Sequence, residues 1–362
     1  MNISFNQKKL STAVKNAERV ISRGSSLPIL QSLLLKTEKG RIKVSATNLE
    51  LGATYFIDAK IEKEGEVAVP AKIFSDFLGN ITDEKVELNT KGNSLNINSN
   101  YYKTQILCAD SSEFPLLPVN KDKNGFKMSA QELKKALLSV IDAASLSETR
   151  PELAGIYINF GAQKIEFAAT DSYRLSEKIL DIKNGISRTL ILPRNTALEL
   201  VRVLNDNNDN VFISFSDNQI FVYNDDFEIV SRLIDGRYPE YKRVIPEKFM
   251  SLARMKKEDL EKGIKTASIF SSNISDVKIK IFEDKAEVYA KNNDKGEINA
   301  SLTCELKNEP FEVTANYNYI LDGLKAIESE NVLIQFTGEG SPLVIKPENK
   351  KDFTYLIMPL RS

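Results

Sequence analysis

Apolar positions along the chain switch between two periods, and the switches recur. Residues 7–21 place Leu10, Ala13, Val14, Ala17, Val20 and Ile21 at i, i+3, i+4, i+7, i+10 and i+11, which is one face of a helix. After Leu27-Pro28-Ile29-Leu30, stretches at 32–37, 42–46 and 52–57 predict strands. A second helix is expected from Pro70, with Ile73, Phe77 and Leu78 facing inward. Proline suits a first helical turn because the amide it lacks would be unpaired there. Strands follow between 85 and 107, and the unit closes on Glu113-Phe114-Pro115-Leu116-Leu117-Pro118.

The pattern then restarts. Ser129-Ala130-Gln131-Glu132 has the form of a capping box, and the helix after it presents Leu133, Ala136, Leu137, Val140 and Ile141. Leu10-Ala13-Val14 matches Leu133-Ala136-Leu137 at an offset of 123, Pro70 matches Pro193 at 123, and Phe114-Pro115 matches Tyr238-Pro239 at 124. A third copy starts with Leu260, Gly263 and Ile264, at an offset of 127 from the second. Its second helix, 316–327, carries Tyr317, Ile320, Leu321, Leu324 and Ile327, and its last strand is expected over 355–361. The chain of 362 residues therefore reads as three repeats of about 120 residues, with boundaries at 1–120, 126–246 and 247–362. Each half-repeat offers one amphipathic helix and a few strands. Neither closes a core alone, so the halves must pair their helices and cover them with sheets: an α+β fold of three similar domains, each with two helices on antiparallel sheets.

Charge adds an asymmetry. The six expected helices hold 14 Lys or Arg against 9 Asp or Glu, while the whole chain carries a net charge of −1. Basic helices on a near-neutral chain fit a weakly held polyanion, although lysine is also common on any solvated helix.

Composition removes most catalytic classes. There is no histidine, so Ser-His-Asp and Cys-His nucleophiles and imidazole metal sites are excluded. GxGxxG, P-loop and CxxC patterns are absent, and no cofactor or metal is expected. The acidic runs 206–209 and 225–226 lie in polar sequence that reads as turns. Cys108 and Cys304 stand alone in apolar contexts and are expected to be buried packing residues. No apolar run approaches a membrane span, and the opening MNISFNQKK lacks a signal-peptide core, so a cytoplasmic protein with no membrane partner is expected.

One stretch is richer than a linker needs to be. Residues 231–246, SRLIDGRYPEYKRVIP, leave a strand at Asp235-Gly236 and gather Tyr238, Tyr241, Lys242, Arg243 and Val244 around Pro239 and Pro246. It reads either as a tyrosine-pinned connector or as a recognition surface.

Three motifs connect this stretch with known sequences. Thr170-Asp171-Ser172-Tyr173-Arg174-Leu175, Asp235-Gly236-Arg237-Tyr238-Pro239-Glu240-Tyr241 and Met358-Pro359-Leu360-Arg361 resemble, in combination, the motifs of the bacterial DNA polymerase III beta subunit family, the replicative sliding clamps. The resemblance spans the full length. The departures are Tyr173, where histidine is usual, and a terminal Ser362, where an apolar residue is common.

The resemblance implies a clamp fold in a ring-shaped, head-to-tail homodimer around duplex DNA, loaded by an ATP-driven clamp loader and conferring processivity on the polymerase without chemistry of its own. It implies a pocket for short peptides of the replicative polymerase, the clamp loader and repair polymerases. That pocket draws on Leu153, Thr170, Tyr173, Arg174, Leu175, Pro239, Arg243, Val244, Pro342, Leu356, Met358, Pro359 and Arg361. Arg174, Arg243 and Arg361 are expected at its rim. Arg23, Lys72, Lys134, Arg194, Arg202 and Lys256 become candidates for DNA contact, with Tyr101, Lys103, Gln105, Ile269 and Phe270 for the dimer interface. On the residues alone, two other readings stand. One is a peptide-binding scaffold without a nucleic-acid role. The other is a carboxylate-dependent hydrolase or nuclease, which needs converging acids and usually a metal.

Overall fold

A computed structural model describes residues 1–21, 27–120, 125–147, 149–183, 185–204 and 209–360. The described residues form six α-helices: α1 (Gln7–Val20), α2 (Ala71–Asn80), α3 (Ala130–Val140), α4 (Arg194–Val203), α5 (Lys257–Ser268) and α6 (Tyr317–Lys325). The chain divides into two compact units, Met1–Glu132 with Leu198–Leu233, and Leu133–Ala197 with Ile234–Ser362. The division falls inside α3 and α4, so it cuts across the sequence repeat.

In the first unit, a five-stranded antiparallel sheet runs Lys60–Lys63, Asn2–Asn6, Lys85–Lys91, Ser94–Asn98, Lys103–Leu107. An eight-stranded sheet runs Phe126–Ser129, Asn210–Phe215, Gln219–Tyr223, Phe227–Arg232, Leu51–Asp58, Arg41–Thr47, Ser32–Glu38, Glu66–Pro70. Strands of the first two repeats join in it where Phe227–Arg232 pairs with Leu51–Asp58. Helix α1 buries Leu10, Ala13, Val14, Ala17 and Val20, packs on α2, and is capped by Asn6, whose side chain accepts from Lys9 N. Helix α2 corrects one expectation. Phe74 and Leu78 face the core, while Ile73 is exposed and Phe77 only half-buried, a rotation of one position from the predicted face.

In the second unit, a nine-stranded sheet runs Arg188–Pro193, Gly155–Phe160, Ile165–Thr170, Arg174–Leu180, Phe353–Ile357, Leu343–Pro347, Asn331–Phe336, Ser251–Lys256, Glu305–Lys307. A four-stranded sheet runs Gly296–Thr303, Lys285–Asn292, Asp276–Ile281, Phe311–Asn316. Helices α5 and α6 pack together here. Gly323 of α6 lies flat on Tyr355, and a Cβ there would come within 2.5 Å of the ring, so only glycine fits. The last strand is Phe353–Ile357, shorter and earlier than the sequence suggests. Cys304 is buried, but Cys108 is only half-buried, with its Sγ donating to Ile106 O.

Candidate partner-peptide pocket

Of the expected pocket residues, Leu153, Thr170, Leu175 and Leu356 come together around the nine-stranded sheet, and the register explains how. Thr170 lies opposite Leu175, Leu175 opposite Leu356, and Leu356 opposite Val344. Residues directly opposite in an antiparallel sheet share a face. One row beyond, Met358 N donates to Tyr173 O at 2.8 Å, which carries the pairing past the end of the strand. Leu153, Leu175, Leu356, Val344, Tyr238 and Tyr241 form a common buried cluster. Close to cluster members in the chain are exposed apolar groups: Tyr173 (64% exposed), Val244 (53%) and Met358 (37%). Thr170, Pro239, Pro342 and Pro359 are half-buried beside them. Arg361 lies outside the described residues.

The turn at 170–175 is fixed by its own side chains. Thr170 Oγ1 donates to Arg174 O at 2.6 Å and accepts from Ser172 N at 3.1 Å. Asp171 Oδ1 accepts from Tyr173 N and Arg174 N at 2.9 and 3.0 Å. These bonds hold Ser172 at φ +78°, a left-handed conformation that a short polar residue tolerates better than a bulky one. Arg174 is not a free rim cation. Its Nε donates to Asp171 Oδ2 at 3.0 Å, its guanidinium also bonds Asp322 of α6, and the group lies 4.4 Å from the Tyr319 ring centroid. Arg243 is exposed and paired with Glu240 at 2.5 Å.

The connector's wall hangs on its tyrosines and one lysine. Tyr238 Oη accepts from Thr170 N at 3.1 Å, Tyr241 Oη donates to Glu177 Oε1 at 2.9 Å, and Lys242 Nζ donates to Glu166 Oε1 at 2.6 Å. Burial pushes both phenols up, in Tyr241 with the Glu177 charge adding to it, so both stay protonated. Glu166 is 2% exposed. Burial would raise its pKa, but hydrogen bonds from Lys164, Lys242 and Asn159 outweigh it and hold the carboxyl at about 2. The sequence flagged Tyr238, Tyr241 and Lys242 as unusual for a linker. It missed Asp322, Tyr319, Glu166 and Glu177, whose partners are 64 to 148 residues away and leave no local signal.

Nothing described here activates a nucleophile. Burial holds both cysteine thiols above their ordinary value, the reverse of activation. Among the described residues, no cluster of three His, Cys, Asp or Glu could hold a metal.

Comparison with known proteins gives the family. The models for the N-terminal, central and C-terminal domains of the DNA polymerase III beta subunit match residues 1–118, 127–240 and 242–361. The chain belongs to the DNA polymerase III beta subunit family. Among characterised relatives, the beta sliding clamp of Synechococcus elongatus is 26% identical over 100% of this chain and 99% of its own. That of Staphylococcus aureus is 24% identical over 100% of both. The crystal structure of the Thermotoga maritima beta subunit superposes with a TM-score of 0.93 at 26% identity, covering 100% of this chain and 99% of that one. The Bartonella birtlesii sliding clamp, solved bound to griselimycin, gives 0.95 at 27% identity with 100% of both chains covered.

The remaining residues expected from the beta-subunit resemblance are dispersed. In the first unit, Lys72 and Arg202 are exposed on α2 and α4, where Lys72 pairs with Asp76 at 2.7 Å and Arg202 with Glu199 at 3.3 Å. In the second unit, Lys256 is exposed before α5, Lys134 is half-buried on α3, and Arg194 is half-buried at the start of α4 with its Nε enclosed. Arg23 lies outside the described residues. Lys103 and Gln105 project from Lys103–Leu107, a free edge of the five-stranded sheet, with Tyr101 exposed just before it and Leu107 at its end. Ile269 is exposed just past α5, and the half-buried Phe270 lies 3.9 Å from where a Cβ on Gly296 would sit, at the start of the free edge strand Gly296–Thr303. No helix among the described residues is long and apolar enough to cross a membrane.

Proposed function

We propose that the chain works as a sliding clamp. Two copies close head to tail into a ring that encircles duplex DNA. The ring tethers the replicative polymerase, and by the same pocket the clamp loader and repair polymerases, and it does no chemistry of its own. Its three clamp domains span 1–120, 126–246 and 247–362. The observation that carries the peptide reading is the exposed trio Tyr173, Val244 and Met358 over a packed apolar floor drawn from three separate stretches of chain. Methionine adapts to several partners, and burying two large apolar side chains contributes roughly 3–6 kcal/mol before association costs. Micromolar affinity, on the order of −8 kcal/mol, suits exchange among partners.

Ring closure draws on the free edges. An unpaired strand recruits another unless it is blocked, and Lys103–Leu107 and Gly296–Thr303 are both open along one side. Ile269→Lys with Phe270→Lys is expected to give folded monomers by sedimentation. Lys72, Lys134, Arg194, Arg202, Lys256 and Arg23 supply weak, sequence-independent phosphate contact, so affinity for linear duplex falls steeply with salt. The test of the whole reading is retention. Protein loaded on closed circular duplex survives a high-salt wash and is released when the circle is cut. Equal retention on linear and circular DNA would refute encirclement.

A further inference from the structure

Among the described residues, the pocket wall at 238–245 makes backbone–backbone bonds only within itself: Tyr241 N to Pro239 O, Arg243 N to Glu240 O and Ile245 N to Lys242 O. These shape the single 3-10 turn Tyr241–Val244 but do not attach it to the sheet. Attachment comes from side chains reaching down to the strands Ile165–Thr170 and Arg174–Leu180. Tyr241 reaches buried Glu177, and Lys242 reaches buried Glu166. Two consecutive residues of one turn are thereby pinned to two neighbouring strands, and the next two, Arg243 and Val244, are the ones that face outward. Two points leave rotation only about the line joining them, and the bond from Thr170 N to Tyr238 Oη adds a third, so the pins restrict the direction of Val244.

We infer that Glu166 and Glu177 are positioning residues for peptide recognition, acting through Lys242 and Tyr241 to preset the wall that carries Val244 and Arg243. This rests on the pocket reading above. The two pins differ in kind. Glu166 also receives Lys164 at 2.7 Å and Asn159 at 2.9 Å, so losing Lys242 leaves no orphaned buried charge. Glu177 is buried and takes the Tyr241 hydroxyl, so losing that hydroxyl removes a buried partner. Lys242→Ala is therefore the clean variant, because it removes one pin of the turn while Glu166 keeps Lys164 and Asn159. A preset wall binds its ligand more tightly by lowering the ordering cost on binding.

The test uses the full-length protein and a fluorescein-labelled peptide copied from the C-terminal tail of the same organism's replicative polymerase, with griselimycin as competitor. Lys242→Ala is expected to weaken the peptide about fivefold to tenfold, mainly through faster dissociation, with thermal midpoint and dimerisation unchanged. Lys242→Arg, which can still reach Glu166, restores affinity to within about twofold. Hydrogen exchange read without any ligand gives a second arm. Amides 243 and 245 exchange faster in Lys242→Ala than in wild type, while those of Arg174–Leu180 do not. Binding by wild type that Met358→Arg abolishes, together with unchanged affinity in Lys242→Ala, overturns the positioning role and leaves the pocket standing. No binding by wild type overturns the pocket reading and this role with it. Unchanged exchange at 243 and 245 overturns the pin whatever the peptide does.

Discussion

The two units each contain a turn of the same design, and the proposed pocket uses only one of them. Thr47 and Thr170, 123 residues apart, both donate Oγ1 to the carbonyl four residues on, at 3.0 and 2.6 Å. Leu49 and Ser172 both sit at positive φ, +75° and +78°. Glu50 O accepts from Arg232 N just as Tyr173 O accepts from Met358 N, both at 2.8 Å. The side chains on this shared frame differ. Opposite Thr47 the strand has Gly52, where the second unit has Leu175. Over Gly52, Leu117 Cδ2 and Val230 Cγ1 each lie 2.9 Å from where a Cβ would be, so the chain fills the space itself. At the mouth stand Glu50 and Arg232 instead of Tyr173 and Met358. The same backbone is thus sealed and charged in one unit, and floored and apolar in the other. The proposed recognition rests on a few side chains set on a repeated frame.

Copying the first mouth into the second should give the largest effect. Tyr173→Glu with Met358→Arg is expected to weaken the polymerase-tail peptide about a hundredfold by anisotropy, since two apolar contacts become charged. Both residues are exposed, so folding is unaffected.

The units also bury carboxylates of opposite character. Glu166 and Glu199 are each 2% exposed. Glu166 is held at about 2 by three donors, whereas burial leaves Glu199 raised because Arg202 and Tyr55, both at 3.3 Å, do not compensate. A depressed carboxyl gives stability that is present above the ordinary carboxylate value and lost as pH falls through about 2. Glu166→Gln should therefore cost about 2–3 kcal/mol in urea titrations anywhere from pH 5 to 8. A raised carboxyl acts the other way, losing stability as pH rises through its folded value.

Leu117→Ala, by uncovering Gly52, should cost about 1–2 kcal/mol yet create no second peptide site, because the charged mouth remains. Smallest is Glu199→Gln, expected to stabilise slightly at pH 8, where the buried carboxyl is most disfavoured, with the gain shrinking as pH falls and the carboxyl is protonated. Destabilisation by Glu199→Gln at pH 8 would place the account of its environment in error.

Much of this was legible in the chain. The helix periodicity located α1, α2, α3, α5 and α6, the match of Pro70 with Pro193 placed α4, and the offset of 124 put the two connectors in correspondence. The face of α2 was not legible, because Ile73, Phe74, Phe77 and Leu78 leave two faces apolar and only packing chooses between them. Nor was the fate of Arg174, which the motif presents as a candidate ligand-binding cation and which Asp171, Asp322 and Tyr319 already occupy. Pairing of residues far apart in sequence, such as Lys242 with Glu166, depends on sheet register and carries no local pattern.

The most direct test of the central claim is the stoichiometry and location of peptide binding, by titrating the polymerase-tail peptide into wild type and into Tyr173→Glu with Met358→Arg by calorimetry. One peptide per chain, abolished in the double variant, is the expected result. Two peptides per chain, or one that survives the double variant, would contradict the assignment of a single open pocket to the second unit.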